Sequence, residues 1–150
     1  MTTAATATPG GNRHRGREVA LQVLYAIDLG ARSAASDVPR ESSFEGVREH
    51  FDVPASAADF ARGLVDGVVG DLEGLDALIA AHARNWRVSR MAVVDRNVLR
   101  LAVHELRDTD TPVAVVIDEA VDLARRFGGD ASPGFVNGVL DAVAKELRAA

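Results

Sequence analysis

The chain has 150 residues, 47% of them apolar, and a formal net charge of −5. That length suits one domain with a single sizeable core, and no apolar run approaches the roughly 20 residues of a membrane span. The acidic balance argues against indiscriminate nucleic-acid binding, and the absence of cysteine excludes disulfides, thiolate metal sites and cysteine nucleophiles, in keeping with a reducing, cytoplasmic setting.

Residues 1–12, rich in Thr, Ala and Gly, lack the apolar run of a secretion signal and read as a flexible N-terminal tail, leaving 13–150 as a single helical domain. Arg13 to Leu29 reads as a helix whose buried stripe is Ala20, Val23, Leu24 and Ile27. A polar connection containing Pro39 follows, then a short helix around Phe44 to Phe51 that ends before Pro54. From Ala57 to Ala83, Phe60, Leu64, Val68, Leu72, Leu75, Leu78 and Ile79 support two helices, or one bent near Gly70 to Gly74. Val94, Val98, Leu101, Ala102 and Leu106 mark a helix from Met91 to Arg107. Thr111-Pro112 is a cap-plus-proline start for a helix carrying Val113, Val116, Ile117, Ala120, Val121, Ala124 and Phe127, stopped by Gly128-Gly129. The last helix, Pro133 to Arg148, buries Val136, Val139, Leu140, Val143 and Leu147. No hairpin dipeptide, strand pair or repeat is present, so the expected fold is all-α, a compact bundle of about six or seven helices.

Two places carry more chemical specification than packing needs. The first is the start of the first helix, where Arg13, His14, Arg15 and Arg17 precede any acid. Guanidinium groups suit phosphates because they stay charged and bond in a fork. At 100° per residue, Arg15, Gln22 and Tyr25 fall within about 80° of one another beside the apolar stripe. A cation, an amide and a ring on one strip fit single-stranded RNA, with phosphates on arginine and bases stacked on Tyr25. The same residues also suit a solvated helix start with Tyr25 half-buried. Three cations there oppose the helix macrodipole, a cost that a bound anion relieves.

The second place is Ser132 to Leu140. Ser132 suits a helix cap and Pro133 the first helical position. Asn137 and Gly138, one turn in, disfavour a helix interior, the glycine by about 1 kcal/mol. They suggest close approach by another helix or a ligand, and Asn137 also suits a cap or a clamp on a neighbouring helix. Phe135 stands open between a stacking ring and a core residue. Asp118 and Glu119 diverge on a helix, Asp118 and Asp122 could together hold a cation, and His14, His50, His82 and His104 lack ligand spacing. No nucleophile elbow, phosphate loop or dinucleotide fingerprint is present. No catalytic residue, metal site or cofactor is expected, and the chain does not read as an enzyme.

Three blocks together resemble the NusB family of bacterial transcription antitermination factors. They are Arg15-Gly16-Arg17-Glu18-Val19-Ala20-Leu21-Gln22-Val23-Leu24-Tyr25, then Asn85-Trp86 with Val94 through Leu106, and then Pro112 through Ala124 with Phe127-Gly128, Ser132 and Phe135-Val136-Asn137-Gly138-Val139-Leu140. The order and spacing hold from residue 13 to 147, while the region from Ala31 to Ala58 matches nothing identifiable. The resemblance implies two packed three-helix halves. It also implies binding of single-stranded boxA RNA in ribosomal RNA leader transcripts, jointly with NusE, a small-subunit ribosomal protein, within an RNA polymerase antitermination complex. Carried over by position, RNA contact is expected at Arg13, His14, Arg15, Arg17, Gln22 and Tyr25. Phe127 and Phe135 are expected to border the same surface, and Asp95 to meet the partner protein.

The chain departs from the family at Pro133-Gly134, where a basic or histidine pair is common, and at His14, which replaces an arginine. Both changes predict weaker RNA binding by the chain alone. Two other readings stay open. One is a helical module that binds only proteins. The other is a part of an RNA-modifying enzyme, since NusB-like domains occur fused to ribosomal RNA methyltransferases, although 150 residues leave no room for a methyl-donor domain. An apolar flank of the first helix could also be shared in a homodimer, and the sequence leaves the oligomeric state open.

Overall fold

Helix-forming residues interrupted by a few well-placed breakers set the element order. The computed structural model describes residues 11–32, 53–84 and 86–148. The elements are α1 (Gly11–Arg32), α2 (Ala55–Gly70), α3 (Leu72–His82), a single 3₁₀ turn (Val88–Arg90), α4 (Val93–Asp108), α5 (Val113–Phe127) and α6 (Ser132–Leu147). Among the described residues there are six α-helices and no strand, so the fold is all-α as expected. α1 begins at Gly11, two residues ahead of the expected start. Residues 1–10 of the expected tail, the connection with Pro39 and the short helix expected around Phe44 to Phe51 lie outside the described residues.

The chain divides into two compact units, Met1–Val65 and Asp66–Ala150. In the first, α1 buries Val19, Ala20, Leu21, Val23 and Leu24, and the early part of α2 buries Ala57, Ala58, Ala61, Leu64 and Val65. Gly16 lets the two helices approach. A Cβ there would lie 2.7 Å from the Phe60 ring and 3.0 Å from the Ala57 carbonyl oxygen.

In the second unit, α4 packs against α3, α5 and α6, while α6 packs against α3 and α5 as well. With neighbours on three sides, α4 is buried from Arg96 to Leu106 at every position except Arg100. Polar groups so enclosed need partners. The Arg96 guanidinium donates to the carbonyls of Val88 and Ser89 at 3.2 and 3.4 Å, and Asn97 Nδ2 donates to the Val93 carbonyl at 2.9 Å. His104, which lacks metal-ligand spacing in the sequence, packs against Gly67, where a Cβ would collide with its ring. Its Nδ1 lies 3.0 Å from Asp108 Oδ2.

The stretch from Ala57 to Ala83 is two helices, and Asp71 makes the break. Its side chain caps α3 by accepting from the Gly74 N–H at 3.0 Å. The two cap-plus-proline starts behave otherwise. Thr111 does not cap α5; it is buried, and its N–H donates to the Thr109 hydroxyl at 3.3 Å. Thr109 in turn donates to the Glu105 carbonyl at 2.7 Å, closing the end of α4. Ser132 is the first residue of α6 rather than its cap, and its hydroxyl accepts from the Gly129 N–H behind it at 3.0 Å. Arg148, just past α6, donates to the carbonyls of Leu106, Glu105 and Thr109. A cation there satisfies orphan carbonyls at the negative end of α4.

Arg107 ties the end of α4 to the start of α3, with Nη1 2.8 Å from Asp71 and Nη2 2.8 Å from Asp108. The Asp71 carboxyl is held below its ordinary value first by the Gly74 N–H and then by Arg107. Arg107 does the same to Asp108, with His104 adding to it. A carboxylate depressed in the folded state stabilises fully above its unfolded value, near 3.9, and loses that contribution as pH falls through the folded one. The difference in melting midpoint between the native chain and Arg107→Met is therefore expected to stay level above about pH 5 and to shrink below about pH 4. Gly67→Ala, by displacing the His104 ring, is expected to cost about 1–3 kcal/mol in chemical denaturation.

Candidate nucleic-acid interface

α1 does not present its arginines as one cluster. Arg13 and Arg17, one turn apart, point roughly opposite to Arg15 on the helical wheel. Each places its guanidinium carbon 5.3 Å from the centroid of the Phe60 ring. Arg13 is exposed, but Arg17 is only 4% exposed. Arg17 was expected to contact RNA, and its burial gives it a different role. It covers the aromatic face that Gly16 allows close to α1, an arrangement worth up to about 2 kcal/mol when desolvated.

The other flank of α1 stays accessible. Arg15 has 36% of its side chain exposed, and its Nη1 forms an ion pair with Glu18 Oε1 at 3.6 Å. Tyr25 is 38% exposed, while His14 and Gln22 are partly exposed. Arg15, Gln22 and Tyr25, the residues of the expected strip, are thus each at least partly exposed along α1, with the largely buried Glu18 among them.

The remaining expected residues belong to the second unit. Phe127, at the end of α5, is 37% exposed, with the Arg126 guanidinium carbon 4.9 Å from its ring centroid. Phe135, in the first turns of α6, is half-buried and meets Trp86, the centroids 5.6 Å apart and the planes tilted by 59°. Sequence reasoning had counted Trp86 only as part of a family signature. Asn137 and Gly138 do not face a neighbouring helix: both are exposed, and a Cβ on Gly138 would meet nothing within 4 Å. Asn137 instead borders an open groove of about 500 Å³ with Asp118, Val121, Arg125, Pro133 and Gly134.

Asp95, the expected protein contact, stands in the first turn of α4. It is half-buried, and its Oδ1 is enclosed without a hydrogen-bond partner. Asp122, half of the acidic pair weighed as a cation site, lies 3.4 Å from Arg126. No group of three or more potential metal ligands occurs among the described residues. No helix among them is long and apolar enough to cross a membrane.

The fold places the chain among small all-α proteins, and its exposed cation-and-ring surfaces have the chemistry that suits RNA. The profile of the NusB family matches residues 14–145, and the chain belongs to that family. It is 49% identical over 136 residues to the transcription antitermination protein NusB of Anaeromyxobacter dehalogenans, covering 90% of this chain and 92% of that one. The protein of the same name from Myxococcus xanthus is 44% identical, with 91% and 97% covered. These relatives are antitermination factors and not enzymes. Among solved structures, T. maritima NusB superposes with a TM-score of 0.79 at 34% identity, covering 97% of this chain and 94% of its own. A complex described as antitermination factors NusB and NusE with dsRNA gives 0.79 at 32% identity, with 90% and 97% covered.

The different surroundings of Arg15 and Arg17 predict different stability effects. Arg17→Ala exposes the Phe60 face and is expected to lower stability by about 1–2 kcal/mol, whereas Arg15→Ala is expected to stay within about 0.5 kcal/mol. Urea denaturation of the two variants beside the native chain measures both.

Proposed function

We propose that the chain is an RNA-binding transcription antitermination factor. It grips the single-stranded boxA element of ribosomal RNA leader transcripts together with NusE, and so helps RNA polymerase read through terminators in the cytoplasm. The observation that carries this reading is the accessible flank of α1, along which Arg15, Gln22 and Tyr25 are each at least partly exposed. Family membership and the resemblance to a NusB–NusE–RNA complex support it.

The mechanism is additive. Arg15 binds a phosphate, and Tyr25 stacks on a base that is free of pairing. Phe127 and Phe135 offer further rings on the second unit. Arg17 contributes by holding α1 to Phe60, which keeps the accessible flank turned outward. NusE docks at the start of α4, beside the half-buried Asp95, and the joint complex stays longer on RNA. A tyrosine that stacks on a base requires that base to be unpaired, so single-stranded boxA is expected to bind more tightly than a duplex of the same sequence.

Arg15→Ala is expected to weaken boxA binding by about tenfold, in line with the loss of a charge-assisted hydrogen bond. It is also expected to reduce the salt dependence by about 0.7 log units per tenfold change in salt. Fluorescence anisotropy across a salt series, with and without NusE and with scrambled and duplex controls, reads both effects. Unchanged affinity and slope would place RNA recognition elsewhere. A chain that binds NusE but no RNA would leave only the protein-binding module.

A further inference from the structure

The tryptophan that meets Phe135 sits in an unusual run of sequence. Arg84, Trp86, Arg87 and Arg90 fall within seven residues, and no acid occurs from Arg84 to Ala92 in a chain of net charge −5. All three arginines are exposed, and Trp86 is 56% exposed, the most of any large apolar side chain among the described residues. A single exposed apolar side chain needs no explanation. An indole tilted against a second ring and flanked by three accessible cations is a combination that packing does not require.

The presentation is also built from within. The Trp86 N–H donates to the Ala83 carbonyl at 3.1 Å, the Arg90 N–H to Arg87 at 2.9 Å and the Met91 N–H to Val88 at 3.2 Å. Met91 is buried, and the buried guanidinium of Arg96 holds the Val88 and Ser89 carbonyls from below. An interior cation thus fixes the turn while the outer ones stay in solvent. Phe135 lies on a helix start whose neighbours are Pro133 and Gly134, without a cation between Ser132 and itself. The segment that supplies a ring against Phe135 is the one that carries Arg84, Arg87 and Arg90.

We infer that this segment is a second single-stranded RNA contact, in which Trp86 stacks on a base and Arg84, Arg87 and Arg90 hold the flanking phosphates. Alternation of rings and cations matches the alternation of bases and phosphates along an unpaired strand. An acidic protein surface would use the arginines but leave the indole without a flat partner. The inference rests on the RNA-binding function proposed above and extends it to the second unit.

Trp86 is the only tryptophan of the chain, so its emission reports on this contact directly. Single-stranded boxA RNA is titrated into the full chain while Trp86 emission is followed, and the anisotropy of a labelled copy of the same RNA measures binding independently. The expected result is saturable quenching over the same concentration range as the anisotropy change. Trp86→Ala is expected to weaken binding about 5- to 100-fold, with Trp86→Phe restoring much of it. Alanine at Arg84, Arg87 and Arg90 together is expected to reduce the salt slope by up to about 2. Equal melting midpoints establish that the variants fold, as exposed positions should. If RNA binds with unchanged Trp86 emission and Trp86→Ala binds as the native chain does, the inference fails and the α1 site stands. If the native chain binds no RNA, both fail. If emission responds to NusE alone while Trp86→Ala leaves RNA affinity unaltered, the segment is a protein contact and the inference is overturned.

Discussion

The close approach of α1 and α2 at Gly16 governs what the beginning of this chain can do. A side chain at that position would collide with the Phe60 ring and with the Ala57 carbonyl. Glycine in a helix costs about 1 kcal/mol against alanine, and the return is a ring brought within reach of two guanidinium groups. Once Arg13 and Arg17 lie over Phe60, the rotation of α1 is set. Arg15, Gln22 and Tyr25 are then left on the accessible flank. Cations of one sequence cluster are thereby divided between holding the helix and meeting a ligand.

The second unit repeats this use of interior polar groups. Gly67 makes room for the His104 ring, and Arg96, nearly wholly buried, donates to the turn before α4. Arg148 closes the far end of α4. The hydrogen bonds of these groups fix backbone that would otherwise be irregular, and Trp86 and Asp95 lie on either side of the turn that Arg96 holds. A surface of short loops gains the rigidity that recognition needs from groups placed beneath it.

Much of the scaffold was legible because helical periodicity reports burial directly. Val98, Leu101, Ala102 and Leu106 in α4, and Val136, Val139, Leu140 and Val143 in α6, are buried as their spacing required. α5 ends at the glycine pair after Phe127 as expected, but Gly128 is extended rather than left-handed, and its missing side chain leaves room for Ser132 and the Ala124 carbonyl. The caps were less legible. Thr111 and Ser132 have the right chemistry beside the right prolines, yet the Thr111 hydroxyl accepts from the Thr109 hydroxyl and the Ser132 hydroxyl from the Gly129 N–H, a choice made by tertiary packing. The site was legible in residue type but not in direction. Helical angle separates Arg15 from Arg13 and Arg17, but only the position of Phe60, more than forty residues along the chain, shows which side is covered. Gly138 had suggested a close neighbour and instead faces open space. Trp86 carried a usable signal in its flanking arginines, which a search restricted to helix starts passes over.

Throughout, guanidinium groups in the interior set the surface that guanidinium groups outside it use. Backbone amide chemical-shift mapping by NMR during titration with single-stranded boxA RNA tests this most directly, because it reports every position at once without altering any. The account predicts that the changes concentrate along Arg13 to Tyr25 and around Trp86 and Phe135, with α3 and the latter half of α6 undisturbed. Changes centred on α3 or on the end of α6, with α1 silent, would contradict it.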